Sequence, residues 1–233
     1  MTKGVYEIYK NEINKIIKDE NTESVFLVGS SKEISLDKEN VKLNDIDIFV
    51  FVEKGNMQIR EIKNIGGIEF DINYFSKEGV KKLIDSKEYF FLKEMSQPKI
   101  IYDKTKKNID IINLCKVKFK EGPKELLQEE KYYIKSNIKS KIDRLKNKDK
   151  IEEFEYEFLT NLYLKDIIVG YFSINNKWIP KDKNLFKELR VENLELFNLI
   201  QKIKINYKYE DLLNVYEYIF KNIGISKNIK ITY

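Results

Sequence analysis

The chain of 233 residues has no histidine, one cysteine and only three arginines. Each shortage excludes chemistry. Without histidine there is no Ser-His-Asp triad, no His-ligated zinc and no imidazole base, so any general base has to be a carboxylate, a lysine or a tyrosine. Cys115 stands alone, so no intramolecular disulfide can form. No apolar run approaches the ~20 residues that cross a bilayer. Residues 1–18 read as an amphipathic helix rather than a signal peptide, which points to a cytosolic protein with no membrane partner. Arg60, Arg144 and Arg190 leave lysine to supply the rest of the 43 basic residues, a bias expected of an AT-rich bacterial genome. The net charge of +5 suits an acidic ligand such as a nucleotide but falls short of a dedicated nucleic-acid footprint.

The most informative segments lie in the first third of the chain. Residues 24–31 (SVFLVGSS) form an apolar strand that breaks at Gly29-Ser30. Residues 44–51 (NDIDIFVF) form another, in which Asp45 and Asp47 face one way and Ile46 and Ile48 the other. A third acid, Asp71, sits inside the strand pattern of residues 67–75 (GIEFDINYF). Two carboxylates on one strand face, with a third from a later strand, make an all-oxygen set of the kind Mg²⁺ prefers. A Gly-Ser turn lets backbone N–H groups approach a phosphate closely. An isolated Asp-x-Asp could simply be the solvent face of a half-buried strand. Here Phe49, Val50, Phe51 and Val52 make the run apolar on both faces, and acids that open a central strand are costly without a role.

This order of elements resembles the nucleotidyltransferase superfamily that includes DNA polymerase β, especially its small bacterial antibiotic-modifying members. The positions that match are Gly29, Ser30, Asp45, Asp47 and Asp71, and the resemblance covers roughly residues 20–105. It implies an α+β fold: an N-terminal nucleotidyltransferase core, with a mixed sheet flanked by helices, and a C-terminal helical bundle domain. The stretch 32–44 (KEISLDKENVKLN) is longer than the family's usual loop and lacks its common Arg-Gly element. By this resemblance Asp45, Asp47 and Asp71 hold two Mg²⁺ ions and carry catalysis, with Asp71 the default base. Gly29, Ser30 and Ser31 are then expected to contact the NTP phosphates; separately, Lys183, just after the Trp178–Pro180 turn, is expected to be able to reach the triphosphate.

The strongest break in the second half is Glu121-Gly122-Pro123, which divides the chain into residues 1–120, the catalytic domain, and 121–233, the helical domain. Helical spacing is expected over residues 5–17, from Ser76 as an N-cap, and over most of the chain beyond 124. Residues 151–173 carry Phe154, Phe158 and Leu162 on one side, which predicts the packed face of a helix. The lysine-dense stretch 124–150 reads as a solvated face, and the glutamates at 152, 153, 155 and 157 as the acidic start of a helix. Residues 171–190 look similar to a Trp-Pro-Lys segment of aminoglycoside-type enzymes.

The expected activity is transfer of a nucleoside monophosphate from an NTP, with ATP the default, to a hydroxyl of an aminoglycoside- or lincosamide-like small molecule. Two alternatives differ in kind. One is transfer to a macromolecule, a protein or a tRNA, with the 131–150 lysines tracking phosphates. The other is a binding module that keeps the fold and has lost turnover.

Overall fold

The computed structural model describes residues 4–34, 43 and 45–224. Most of the 32–44 loop, and Asn44 with it, therefore lies outside the described residues. The chain divides into two compact units, residues 1–121 and 122–233.

In the first unit, α1 (Val5–Lys18) turns Ile8, Tyr9, Ile13 and Ile16 to one side. Five strands follow: β1 (Thr22–Val28), β2 (Asp45–Val52), β3 (Gln58–Ile65), β4 (Ile68–Ser76) and, further on, β5 (Lys99–Asp103). They form one mixed sheet in the order β3-β4-β2-β1-β5. β2 runs parallel to β4, and the other neighbours are antiparallel. The apolar run at 48–52 explains why β2 sits at the centre: Ile46, Ile48 and Val50 are fully buried on one face, and Phe49 and Phe51 nearly so on the other.

The two sheet faces are packed with different chemistry. Ile46, Ile48, Val50, Phe70 and Ile72 meet the apolar side of α1. The opposite face is aromatic. Phe26, Phe49, Phe51 and Phe75 gather around Phe91 of α3 (Tyr89–Met95), with centroid distances such as 5.0 Å for Phe49–Phe75 and 5.2 Å for Phe75–Phe91. Both pairs meet edge to face, the arrangement aromatic quadrupoles favour. Between β4 and α3 runs α2 (Lys77–Asp85), opened as expected by Ser76, whose hydroxyl oxygen accepts the Gly79 N–H at 3.2 Å. After β5, α4 (Asn108–Glu121) closes the unit.

The second unit is helical: α5 (Gln128–Arg144), α6 (Glu153–Ile174), α7 (Leu185–Glu192), α8 (Leu194–Asn206) and α9 (Tyr209–Phe220). Its core is built around α6, from Tyr156, Leu164, Ile167, Ile168 and Phe172. Phe154 and Phe158 are not part of that core, contrary to the expected packed face; they are 82% and 59% exposed. The buried face lies instead along Tyr156, Thr160, Tyr163 and Ile167, where Gly170 lets α5 and α9 approach closely. The glutamates at 152, 153 and 155 are exposed at the start of α6, as the helix dipole favours.

The α1 side of the sheet also buries a charge. Glu12, only 2% exposed, accepts hydrogen bonds from the ammonium groups of Lys63 and Lys15, each at 2.9 Å. Burial pushes its pKa up, but those two ammonium groups outweigh burial and hold it below 4.5. A carboxylate with a depressed folded pKa adds stability above its unfolded pKa and loses it as pH falls through the folded one. Denaturant titrations are therefore expected to show stability that is flat near neutrality and declines below about pH 4.5. In Glu12→Gln that acid-side decline should be shallower; an unchanged decline would remove Glu12 from the account.

Candidate active site

Register brings the sequence-predicted carboxylates to one place. Across the antiparallel β1–β2 pair Val28 is opposite Asp47, and across the parallel β2–β4 pair Asp47 is opposite Asp71. Opposed residues share a sheet face, so Asp45, Asp47 and Asp71 lie on the same side, the aromatic one, at the end of the sheet where β1 finishes. Asp45 is itself opposite Glu69, an exposed acid that the sequence pattern did not single out. All three aspartates are part-buried.

The Gly-Ser turn follows directly from β1. Gly29 adopts φ +67°, a conformation that suits glycine. A Cβ built there would fall 1.9 Å from Asp47 Oδ2, so the turn closes directly over the Asp47 carboxylate. Ser30 is exposed, in helical conformation, and precedes a short 3₁₀ turn at Ser31–Glu33. Ser31 is placed differently from its expected role. It is fully buried and its hydroxyl donates to the Val28 carbonyl at 3.2 Å, which secures the turn rather than presenting a donor to a phosphate. Lys183 belongs to the helical unit, exposed on a 3₁₀ turn at Asp182–Asn184.

Two site residues come from elements absent from the sequence expectations. Arg60 of the edge strand β3 places its fork on Asp71: Nε donates to Oδ1 at 2.9 Å and Nη2 to Oδ2 at 2.7 Å. Asn73 Nδ2 also donates to Asp71 Oδ1 at 3.0 Å, and Gln58 Nε2 donates to Asn73 Oδ1 at 3.0 Å. On the other side of the turn, Glu94 of α3 accepts the Gly29 backbone N–H at 2.9 Å. β3 was legible in principle. Gly66-Gly67, with φ +62° and +85°, makes a two-residue hairpin turn whose sequence is a recognised hairpin signal. Glu94 carries no comparable signal, since its role arises only when α3 packs on the sheet.

The donor chemistry fits Mg²⁺: carboxylate oxygens from opposed positions on one face, beside a turn able to receive phosphate oxygens. Among the described residues, no three acids are drawn close enough to surround an ion, and both oxygens of Asp71 are engaged by Arg60. A cleft of about 530 Å³ elsewhere in this unit, lined by Phe51, Val80, Ile84, Lys77 and Lys81, lies toward the opposite ends of the strands and contains none of these groups. No described helix is long and apolar enough to cross a membrane.

No protein-family model and no curated protein matches the chain. Its fold is nonetheless similar to that of a solved structure, a nucleotidyltransferase-like protein from Exiguobacterium sibiricum, at a TM-score of 0.51 and 8% identity, over 94% of this chain and 75% of that one. At that identity the likeness establishes the fold alone, a nucleotidyltransferase-like α+β architecture.

If Asp47 and the turn form one unit, Gly29→Ala should be disproportionately costly for a single methyl group. Backbone strain at positive φ accounts for about 1–3 kcal/mol, and the clash with Asp47 adds to it. Denaturant unfolding of the variant tests this; an unchanged midpoint would show that the turn and Asp47 are not locked together.

Proposed function

We propose that the protein is a Mg²⁺-dependent nucleotidyltransferase that moves a nucleoside monophosphate from an NTP to the hydroxyl of a small molecule of the aminoglycoside or lincosamide kind. The observation that carries the proposal is the opposition of Val28, Asp47 and Asp71 across three adjacent strands, with Gly29-Ser30 leading out of the first. Asp45, Asp47 and Asp71 would hold the two ions, which when bound neutralise the triphosphate and lower the pKa of the acceptor hydroxyl. Ser30 would donate its exposed hydroxyl to a β- or γ-phosphate oxygen. Asp71 would receive the acceptor's proton as the oxygen bonds to the α-phosphorus. The bond from that phosphorus to the bridging oxygen breaks, and pyrophosphate leaves with the electron pair.

A small acceptor is favoured over a macromolecule by how the α5 lysines are used. Lys135 donates to the carbonyls of Phe220 and Ile223 at the end of α9, Lys139 pairs with Asp143, and Lys141 with Asp166. Lys135 and Lys141 are committed to neighbouring helices and Lys139 to a partner within α5, so these side chains are poorly placed to track a phosphate backbone. The second reading, a binding module without turnover, draws support from one contact, the Arg60 fork on Asp71.

Calorimetric titration of the full chain with non-hydrolysable ATP, GTP, CTP and UTP analogues, with and without Mg²⁺, tests the proposal. One analogue should bind in a metal-dependent way. The Asp45→Ala/Asp47→Ala protein should lose that binding by more than about 100-fold, beyond the range for changes that only disturb a ligand's supporting partners. A folded protein that binds none of the four analogues would refute it.

A further inference from the structure

Two contacts at the site set the protein's own charges where those of a ligand would go. Glu94 Oε2 accepts the Gly29 N–H at the turn proposed to receive phosphate, and Lys32 Nζ stands 3.7 Å from the same oxygen. The Glu94 and Lys32 side chains retain only 18% and 15% exposure. This is no loose surface pair, because Phe91, Leu92 and Met95 anchor α3 in the core and fix where Glu94 starts. On the other flank Arg60 takes both oxygens of Asp71. Their exposures are unequal: 18% for Asp71 and 57% for Arg60. The carboxylate is built into the sheet, whereas the guanidinium reaches in from solvent on an edge strand. It can withdraw without breaking a strand pairing or opening the core.

We propose, resting on the nucleotidyltransferase reading, that Glu94 and Arg60 are positioning residues that compete with the nucleotide's phosphates and with the metal for the same partners. Glu94 guards the Gly29 N–H as an internal anion, and Arg60 guards Asp71 as an internal cation. The two guards make metal and nucleotide interdependent. A cation arriving at Asp71 releases Arg60, the only arginine in the first unit, whose planar fork matches a phosphate. Phosphates arriving at the turn displace Glu94 and leave Lys32 to a new anion. A phosphate that takes up the Arg60 fork in turn leaves Asp71 to the cation, so each ligand strengthens the binding of the other, which is positive coupling between them.

The test uses the full chain and Mn²⁺ alone as probe, with free ion read by electron paramagnetic resonance. Arg60→Gln is expected to bind Mn²⁺ about tenfold more tightly than the parent protein in the absence of nucleotide, as removal of a competing charge-assisted pair implies. Arg60→Lys, which keeps the charge but loses the fork, should fall between and serves if Arg60→Gln does not fold. In a second arm Glu94→Gln should bind inorganic tripolyphosphate about threefold more tightly without metal, since a neutral amide competes less well for an N–H. Equal Mn²⁺ affinity in parent and Arg60 variants overturns the competition while leaving the metal site standing. Weaker tripolyphosphate binding by Glu94→Gln overturns the role of Glu94. Absence of Mn²⁺ binding from every folded protein in the series removes the metal site itself, and the competition with it.

Discussion

Everything at the candidate site depends on the parallel pairing of β2 with β4. That pairing puts Asp47 directly opposite Asp71, and a slip of one residue would turn one of the two to the far face. The register is held by what lies further along the same strands. Ile46 opposite Phe70 and Ile48 opposite Ile72 fill the α1 face, while Phe51 opposite Phe75 joins the aromatic cluster around Phe91. Both faces are therefore specified by burial, and the carboxylates inherit their positions from hydrophobic neighbours.

Holding acids on a central strand has an electrostatic consequence. Carboxylates on neighbouring positions repel one another and resist burial unless cations or donors meet them. The structure answers with groups from different elements. Arg60 and Asn73 satisfy Asp71, Gln58 steadies Asn73, and the turn at Gly29 closes on Asp47. The Gly29 N–H is met by Glu94, itself close to Lys32. Internal pairing of this kind lets an anionic site fold intact, and the same pairing sets the terms on which a cation or a phosphate can enter.

The sequence carried more of this arrangement than its length of strand would suggest, and the reasons differ by element. β1, β2 and β4 were legible because their apolar runs end at turn residues, and α2 because Ser76 caps it. The α+β architecture followed from those runs and from the helical remainder of the chain. β3 was missed because its alternation is weak: a half-exposed edge strand mixes Ile59 and Ile62 with Arg60, Glu61 and Lys63, and the Gly66-Gly67 turn was its only firm marker. α3 was missed because a seven-residue helix, with its three aromatic residues in one run at the start, shows no periodicity. These two elements supply Arg60 and Glu94, so the acids were readable and their partners were not. Phe154 and Phe158 mark the opposite error. Helical spacing identified the helix but assigned its buried face to the wrong stripe.

The proposed metal-dependent triphosphate site joins Asp45, Asp47 and Asp71 to the Gly29-Ser30 turn. The most direct measurement is a crystal structure of the full chain grown with Mn²⁺ and a non-hydrolysable NTP analogue, with the ion located by anomalous scattering. Manganese is expected on Asp45 and Asp47 and on Asp71 released from Arg60, with phosphate oxygens on the turn in place of Glu94. Manganese or triphosphate bound elsewhere, with the Arg60–Asp71 pair and the Gly29–Glu94 hydrogen bond intact, would rule that site out.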